Sequence, residues 1–447
     1  MESTTVGDHA VVLGASMAGL LTARVLTDAY DHVTVVERDI LPRGVAQRRG
    51  VPQGRHVHGL HARGRELLDE LFPGFTEQVV QAGAVTGDSL DLIRWQLSGH
   101  QLRQVDIGLP ILAASRPFLE HHVRQRVQAL PSVRFVEGCD VVGLVTGSDH
   151  RRVTGVRVAH RDQGGTEQTV AADLVVDATG RGSRTPMWLE QFGYPRPQAD
   201  RVEIGLGYSS RHYRLRPGAL GNDVNVLTGP TPGHPRGGGV SAEENGQHVV
   251  TVGGILGDHP PVDPAGFDAF VASLCSPDVA KALVGATPLD DPVAFRFPAS
   301  VRYRYERLRR FPAGLLVIGD AVCSFNPIYG QGMTVAAMEA ATLRDMLRTG
   351  SPPGPHEYFR QIAKVIDIPW GMNVGADLAF PDVRGRRTVK VRMVNAYLPA
   401  LCAAASADSL LARAMVRVMG MVDRPEGLLR PDRLLRVLWA HLRGISI

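Results

Sequence analysis

Two glycine-rich turns, centred on Gly14 and Gly330 and so 316 positions apart, each join an apolar strand to a helix. The first lies in Ala10-Val11-Val12-Leu13-Gly14-Ala15-Ser16-Met17-Ala18-Gly19-Leu20, where an apolar strand runs through small residues into a helix reaching about Asp28. A second strand, Val33-Thr34-Val35-Val36, ends in Glu37-Arg38. A β-turn-α-β unit with an acid roughly 20 residues beyond the glycines is the layout that binds a dinucleotide, the acid taking a ribose hydroxyl. It commits the chain to an α/β fold. Ser16 stands where the middle glycine of G-x-G-x-x-G would be.

The second turn follows the strand Gly314-Leu315-Leu316-Val317-Ile318, which delivers Gly319-Asp320. Phe325-Asn326-Pro327-Ile328-Tyr329-Gly330-Gln331-Gly332-Met333 then opens a helix near Met333. A helix N-terminus carries partial positive charge and unpaired N–H groups. Glycines there let a flat or phosphorylated ligand approach the backbone. A third glycine turn ends a buried strand in Asp173-Leu174-Val175-Val176-Asp177-Ala178-Thr179-Gly180-Arg181-Gly182-Ser183-Arg184.

These motifs resemble flavoprotein monooxygenases of the para-hydroxybenzoate hydroxylase type, over most of the chain. A nearer likeness is to actinobacterial enzymes related to polyether and squalene epoxidases. Those share segments like Val51-Pro52-Gln53-Gly54-Arg55-His56-Val57-His58-Gly59-Leu60 and the Asn-Pro-Ile-Tyr-Gly-Gln-Gly turn. The resemblance implies a Rossmann-like FAD-binding domain of the glutathione-reductase type, a mixed β-sheet substrate domain and a C-terminal helical region. It places the FAD pyrophosphate on Gly14, Ser16 and Gly19, the adenosine ribose on Glu37, the ribityl chain and pyrophosphate on Asp320, and the flavin ring at Gly330, Gly332 and Met333. Ala15, Met17, Ala18, Arg38, Pro327 and Gln331, in the same segments, count as cofactor-binding positions too.

In that family the middle turn usually reads Ala-Asp-Gly, and its acid contacts both FAD and NAD(P)H. Thr179 replaces the acid here. Contact through the Thr179 and Gly180 backbone is expected, while NAD(P)H supplies electrons either directly or through a separate flavin reductase. The resemblance also sets Arg55 and His58 beside the flavin ring or ribityl chain, and Arg116 and Arg124 near the ribityl or phosphate. A metal reading of the His56, His58 and His61 cluster lacks an acid or cysteine to complete it. The Asp367–Asp377 stretch, with Pro369, Trp370 and Met372, reads either as a lid in a Pro-broken helix or as a packing segment.

No general acid or base is evident, and oxygen transfer of this kind needs none. Reduced flavin and O2 form a C4a-hydroperoxide, and the protein excludes water, supplies positive field and positions the substrate. The expected reaction is epoxidation of an alkene in a hydrophobic polyketide or terpenoid. Aromatic hydroxylation and geranylgeranyl-type alkene reduction are the alternatives. Tyr208, Tyr213 and Tyr303 are equivalent candidates for holding a phenol. Flavin halogenation requires a lysine soon after the first turn, and no lysine precedes Lys281.

The 447 residues suffice for two or three packed units. Hydrophobic and charged fractions of 44% and 21% are those of a globular protein. A net charge of +4 with no basic stripe argues against nucleic acid. Cys139, Cys275, Cys323 and Cys402 form no C-x-x-C pair, which fits a reducing cytoplasm. The polar Met1–Asp8 segment does not read as a signal peptide, and no run of eighteen apolar residues predicts a membrane span. The most apolar stretch, Val394 to Met421, reads as packed amphipathic helices.

The predicted organisation is discontinuous. Residues 1–75, 113–190 and 301–350 form the FAD domain, 76–112 and 191–300 the substrate domain, and 351–447 the helical region. Val133–Glu137 and Val141–Val145 are expected in the FAD sheet, with Val153–Val158 as a hairpin arm. Thr228–Gly239 is expected as a flexible loop.

Overall fold

The computed structural model describes residues 5–162 and 164–444, so Met1–Thr4 of the polar N-terminal segment lie outside the described residues. Five short strands form a parallel sheet in the order Leu315–Val317, Leu174–Asp177, Gly7–Leu13, Tyr30–Val36, Val133–Val136. The Val- and Leu-rich runs of the first four are almost wholly buried, as strands covered on both faces must be, while the edge strand Val133–Val136 is only partly so. Helices Met17–Leu26 and Gly332–Leu347, which follow the first and last of the glycine turns, pack against each other over this sheet.

Cys139–Thr146 does not join the parallel sheet as expected. Gly138, at φ +67°, turns the chain out, and the strand pairs antiparallel with Val153–His160 in a three-stranded sheet. That sheet contributes Val153, Val156 and Val158 to the same core.

A nine-stranded sheet is built around Ala199–Arg214 and Val293–Tyr303. Ile93–Leu97 extends it through a parallel pairing with Asn225–Thr228. Thr228–Gly239 is less of a loop than its composition suggests, because Arg236–Ala242 is a central strand. A Cβ on Gly239 would lie 2.5 Å from Leu227 and 2.6 Å from the Val226 carbonyl, so these glycines permit close strand contact. One sheet face packs on Pro264–Ala272 and Asp278–Ala282 through Val240, Val250, Phe267 and Phe270. The other presents Ile204, Leu206, Tyr208 and Phe297 towards Leu378, Phe380 and Val383. Cys323–Ser324 pairs with Val301–Arg302, which ties the late glycine turn to this sheet.

Four helices close the chain: Pro355–Asp377, Val389–Ala405, Ser409–Met419 and Pro431–Leu442. Thr388 and Asp408 cap the middle two with their side-chain oxygens. Pro369 does not break its helix, which runs unbroken through it. Among the described residues no helix is long and apolar enough to cross a membrane.

Candidate active site

At the first turn Gly14 adopts φ +99°, and its N–H donates to the Val36 carbonyl at 2.7 Å. A Cβ there would sit 2.8 Å from the Ala178 carbonyl oxygen, while one on Gly19 would sit 1.8 Å from the Gly14 carbonyl. Both positions therefore require glycine. Ser16 is the N-cap of Met17–Leu26, and its hydroxyl, free of any capping bond, accepts from Arg116 Nη2 at 2.9 Å. Arg116 reaches it because Ser115 starts Arg116–Gln128 by accepting from the Phe118 N–H at 3.3 Å.

The acid after the second strand is buried. Glu37 accepts from the Ala15 N–H at 2.7 Å and the Asp39 N–H at 2.9 Å. Its cationic partner is Arg48 at 3.2 Å, a residue the sequence reading missed. Arg38, an expected contact, is half exposed and approaches Asp39 at 4.0 Å. Arg48 also binds Asp39 at 3.3 Å and Glu120 at 2.7 Å, and Glu120 binds Arg116 at 2.9 Å. Arg124 joins from the same helix, 3.9 Å from Glu120 and donating to the Pro42 carbonyl at 2.9 Å. Burial opposes ionisation of Glu120, but Arg116 and Arg48 outweigh it and hold its carboxyl below the usual range.

At the middle turn Asp177 is fully buried and accepts from the Thr179 N–H, from the Thr179, Thr185 and Ser183 hydroxyls, all at 2.5–2.9 Å. The Thr179 hydroxyl is thus committed to the scaffold. Gly180, at φ +73°, comes close to Asp320, and a Cβ placed on it would stand 3.9 Å from the Asp320 Cβ. Asp320 keeps contact with solvent although protein surrounds it on most sides. That enclosure raises its pKa, against the lowering effect of Arg181 and Arg116.

The late turn is laced from two sides. His61 Nε2 lies 2.9 Å from the Tyr329 carbonyl, and the His61 N–H donates to Thr334 Oγ1 at 3.2 Å. From the other side Asp377 accepts from Asn326 Nδ2 and the Tyr329 hydroxyl, each at 2.9 Å. One helical turn earlier, Asn373 holds the buried Gln331 side chain and donates to the Pro369 carbonyl at 2.8 Å. Gln331, expected at the cofactor, thus turns its side chain to the C-terminal helix. Pro327 is exposed, Gly330 sits at φ +64° and Met333 is buried. Gly332 begins the helix with no atom within 4 Å of a Cβ.

The histidine loop sets its side chains in different surroundings. Arg55 is exposed, whereas His56 is buried against the nine-stranded sheet. His56 Nδ1 lies 2.7 Å from Ser210 Oγ, which in turn lies 2.6 Å from Thr251 Oγ1. Its ring meets Tyr208 edge-on at 4.6 Å and Phe295 at 5.8 Å. Burial above all brings the His56 pKa down to about 3 and that of His58 to about 4, His58 being pushed further by Arg116. Arg181 lies over Phe295 and Phe297 at 5.4 and 5.5 Å, so the middle turn also reaches the sheet.

FAD fits these residues. Left-handed glycines form each turn, Gly180, Gly319 and Gly330 among them, and no atom crowds Gly182 or Gly332. Arg48 Nη2 is buried without a protein partner beside Glu37, and Asp320 stays open to solvent. Among the described residues no group of three or more metal-ligating side chains is placed to hold a metal ion.

The chain is 38% identical over 432 residues to Protein Rv3254 of Mycobacterium tuberculosis, covering 93% of this chain and 90% of the relative. It belongs to the Rv3254 family. The Rv3254-family chain is also 27% identical to Kynurenine 3-monooxygenase of Salinispora tropica, over 98% of its own length and 95% of the relative. A local match, 29% identical over 145 residues (30% of this chain and 26% of the relative), links it to Squalene epoxidase erg1 of Aspergillus fumigatus. No family model matches. Among solved structures, flavin-dependent brominase Bmp2 superposes with a TM-score of 0.69, covering 98% of this chain and all of that one at 15% identity. The p-nitrophenol 4-monooxygenase of Pseudomonas putida does so with a TM-score of 0.66 over 94% and 99%, at 14% identity. At such identities the likeness is one of fold. The Rv3254-family chain has the FAD-dependent monooxygenase/halogenase fold, and it is an FAD-dependent monooxygenase.

Glu339 supplies a pH prediction for this Rv3254-family enzyme. It is fully buried behind the late turn and accepts from the Gly319 N–H at 2.7 Å through one oxygen, while the other has no partner. Burial raises its pKa to about 8 from 4.5. Between those values the folded state binds the extra proton, so this group's contribution to stability falls as pH rises. Glu339→Gln should flatten that loss, which is on the order of a few kcal/mol. Thermal melts from pH 5 to 8.5 test this, with wild type declining more steeply than the variant; parallel curves would refute it.

Proposed function

We propose that this enzyme transfers one oxygen atom from O2 to a hydrophobic secondary metabolite, with an alkene of a polyketide or terpenoid chain as acceptor. FAD would be held by Gly14–Gly19, Glu37, Arg116, Arg124, Thr179–Gly180, Asp320 and the Pro327–Met333 turn. Residues 199–303, with strand Ile93–Leu97, would wall the substrate. Bound and reduced, FAD supplies the activation of O2. The chain's own residues position the acceptor, exclude water and present the N-terminus of Gly332–Leu347.

The observation that carries the reading is the largely aromatic lining beside the turns, with the Arg181 guanidinium lying over Phe295 and Phe297. His56 is neutral above about pH 3, burial pushes the Tyr208 phenol far up, and Phe295 and Phe297 complete the wall. Such a lining suits an acceptor that is mostly apolar. The names of the kynurenine and p-nitrophenol monooxygenases favour aromatic hydroxylation as the second reading.

The test supplies FAD, NAD(P)H with and without a flavin reductase, 18O2, and matched panels of apolar alkenes and phenols. An epoxide carrying one 18O atom is the expected product. Hydroxylation confined to phenols would establish the second reading. A saturated product with no 18O would mean alkene reduction.

A further inference from the structure

The last helix, Pro431–Leu442, buries one residue, Val437, and turns a broad apolar arc outwards. Leu434, Leu435, Leu438, Trp439 and Leu442 are 40%, 59%, 52%, 59% and 74% exposed. At 100° per residue these five fall within about 140° of one another, away from the packed side. Leu435 and Trp439 also line a cleft of about 530 Å³ with Leu410, itself 52% exposed.

Charge says what this face meets. Residues 384–447 carry 12 arginines and lysines against four acids, a surplus of eight. Residues 1–383 carry 37 against 41, a deficit of four. Beside the apolar arc stands Arg443, whose guanidinium lies 4.6 Å from the Trp439 ring centroid, while Arg436 next to it is paired with Asp408 at 2.8 Å. A second copy, bringing another region with the same surplus of positive charge, would be repelled. Exposed leucines with a tryptophan, flanked by arginine, are the composition of a helix that lies in a lipid headgroup layer. Basic residues near an anionic bilayer add attraction that falls off within a Debye length.

We propose that Pro431–Leu442 docks this enzyme peripherally on an anionic lipid surface, with Leu435, Leu438, Trp439 and Leu442 entering the headgroup region. The proposal stands apart from the reading of the substrate. FAD-loaded full-length protein is sedimented with phosphatidylcholine vesicles and with mixed phosphatidylcholine–phosphatidylglycerol vesicles. It should pellet with the anionic vesicles alone and be released by high salt. Trp439 emission should shift to the blue, since Trp188 and Trp370 are buried already and Trp95 is partly buried against the core of the C-terminal helices.

Leu438→Glu with Leu442→Glu should lower partitioning at least about tenfold, by withdrawing two leucines from the apolar layer. Arg443→Ala should lower it about fivefold. Both variants should keep their flavin absorbance, which shows them folded. Equal recovery in the supernatant with both vesicle types would overturn the proposal. So would a dimer in light scattering that Leu438→Glu dissociates, which would give the face to a second copy.

Discussion

Gly19→Ala should abolish flavin binding, although it adds a single methyl group. The Cβ would stand 1.8 Å from the Gly14 carbonyl oxygen. That oxygen cannot retreat, because the Gly14 N–H is bonded to Val36 and its Cα faces the Ala178 carbonyl. Overpacking against backbone costs about 3 kcal/mol or more, enough to push the helix off the strand or unfold the turn. The expected result is purified protein without absorbance near 450 nm and with a lowered melting temperature. Gly44→Ala is the control, since nothing lies within 4 Å of its Cβ and it should be silent. A Gly19→Ala protein with a full complement of flavin would mean that the first turn does not hold the cofactor.

Gly332→Asp separates charge from shape. The added Cβ meets no atom within 4 Å, and the first turn of Gly332–Leu347 contains no acid. A carboxylate at a helix N-terminus ordinarily stabilises the helix by about 0.3–1 kcal/mol. The apoprotein should therefore melt no lower than wild type. If that N-terminus supports negative charge on a reduced ring, the same carboxylate should lower the flavin reduction potential. Turnover should drop on the order of a hundredfold, the scale seen when one preorganised donor is lost. An unchanged potential and turnover would remove the helix N-terminus from the mechanism.

The α/β fold was legible because glycine turns and Val-rich runs are local signals. Gly14, Gly19, Gly180 and Gly330 occupy constrained backbone positions that no other residue fills cheaply, so sequence alone marks them. The start of the helix that carries Arg116 was legible, since Ser115 and Pro117 fix where it begins. Arg48 and Glu120 were not, because their meaning is a contact across 72 positions within an ion-pair network that no spacing rule encodes. His56 and His58 alternate along one loop, and which of them faces the sheet depends on Ser210 and Thr251, far along the chain. Val141–Val145 and Thr228–Gly239 failed for a related reason. Apolar alternation does not say which sheet a strand joins, and strand glycines that admit a neighbour look like loop glycines.

The pairing of Asn326, Tyr329 and Gln331 with Asn373 and Asp377 also bears on the order in which the molecule can be made. The first glycine turn leaves the ribosome early, but its neighbouring strand Leu174–Asp177 gains its outer partner only when Leu315–Val317 emerges. The late turn then waits for a helix some 50 residues further on, at contact separations of the kind that slow folding. Until Asp377 has been synthesised, the nascent chain has both halves of a dinucleotide site and no clamp on the second. Flavin loading is therefore expected late in the life of the chain, and a chain stalled before residue 377 would present the late turn without these partners to the cell's chaperones.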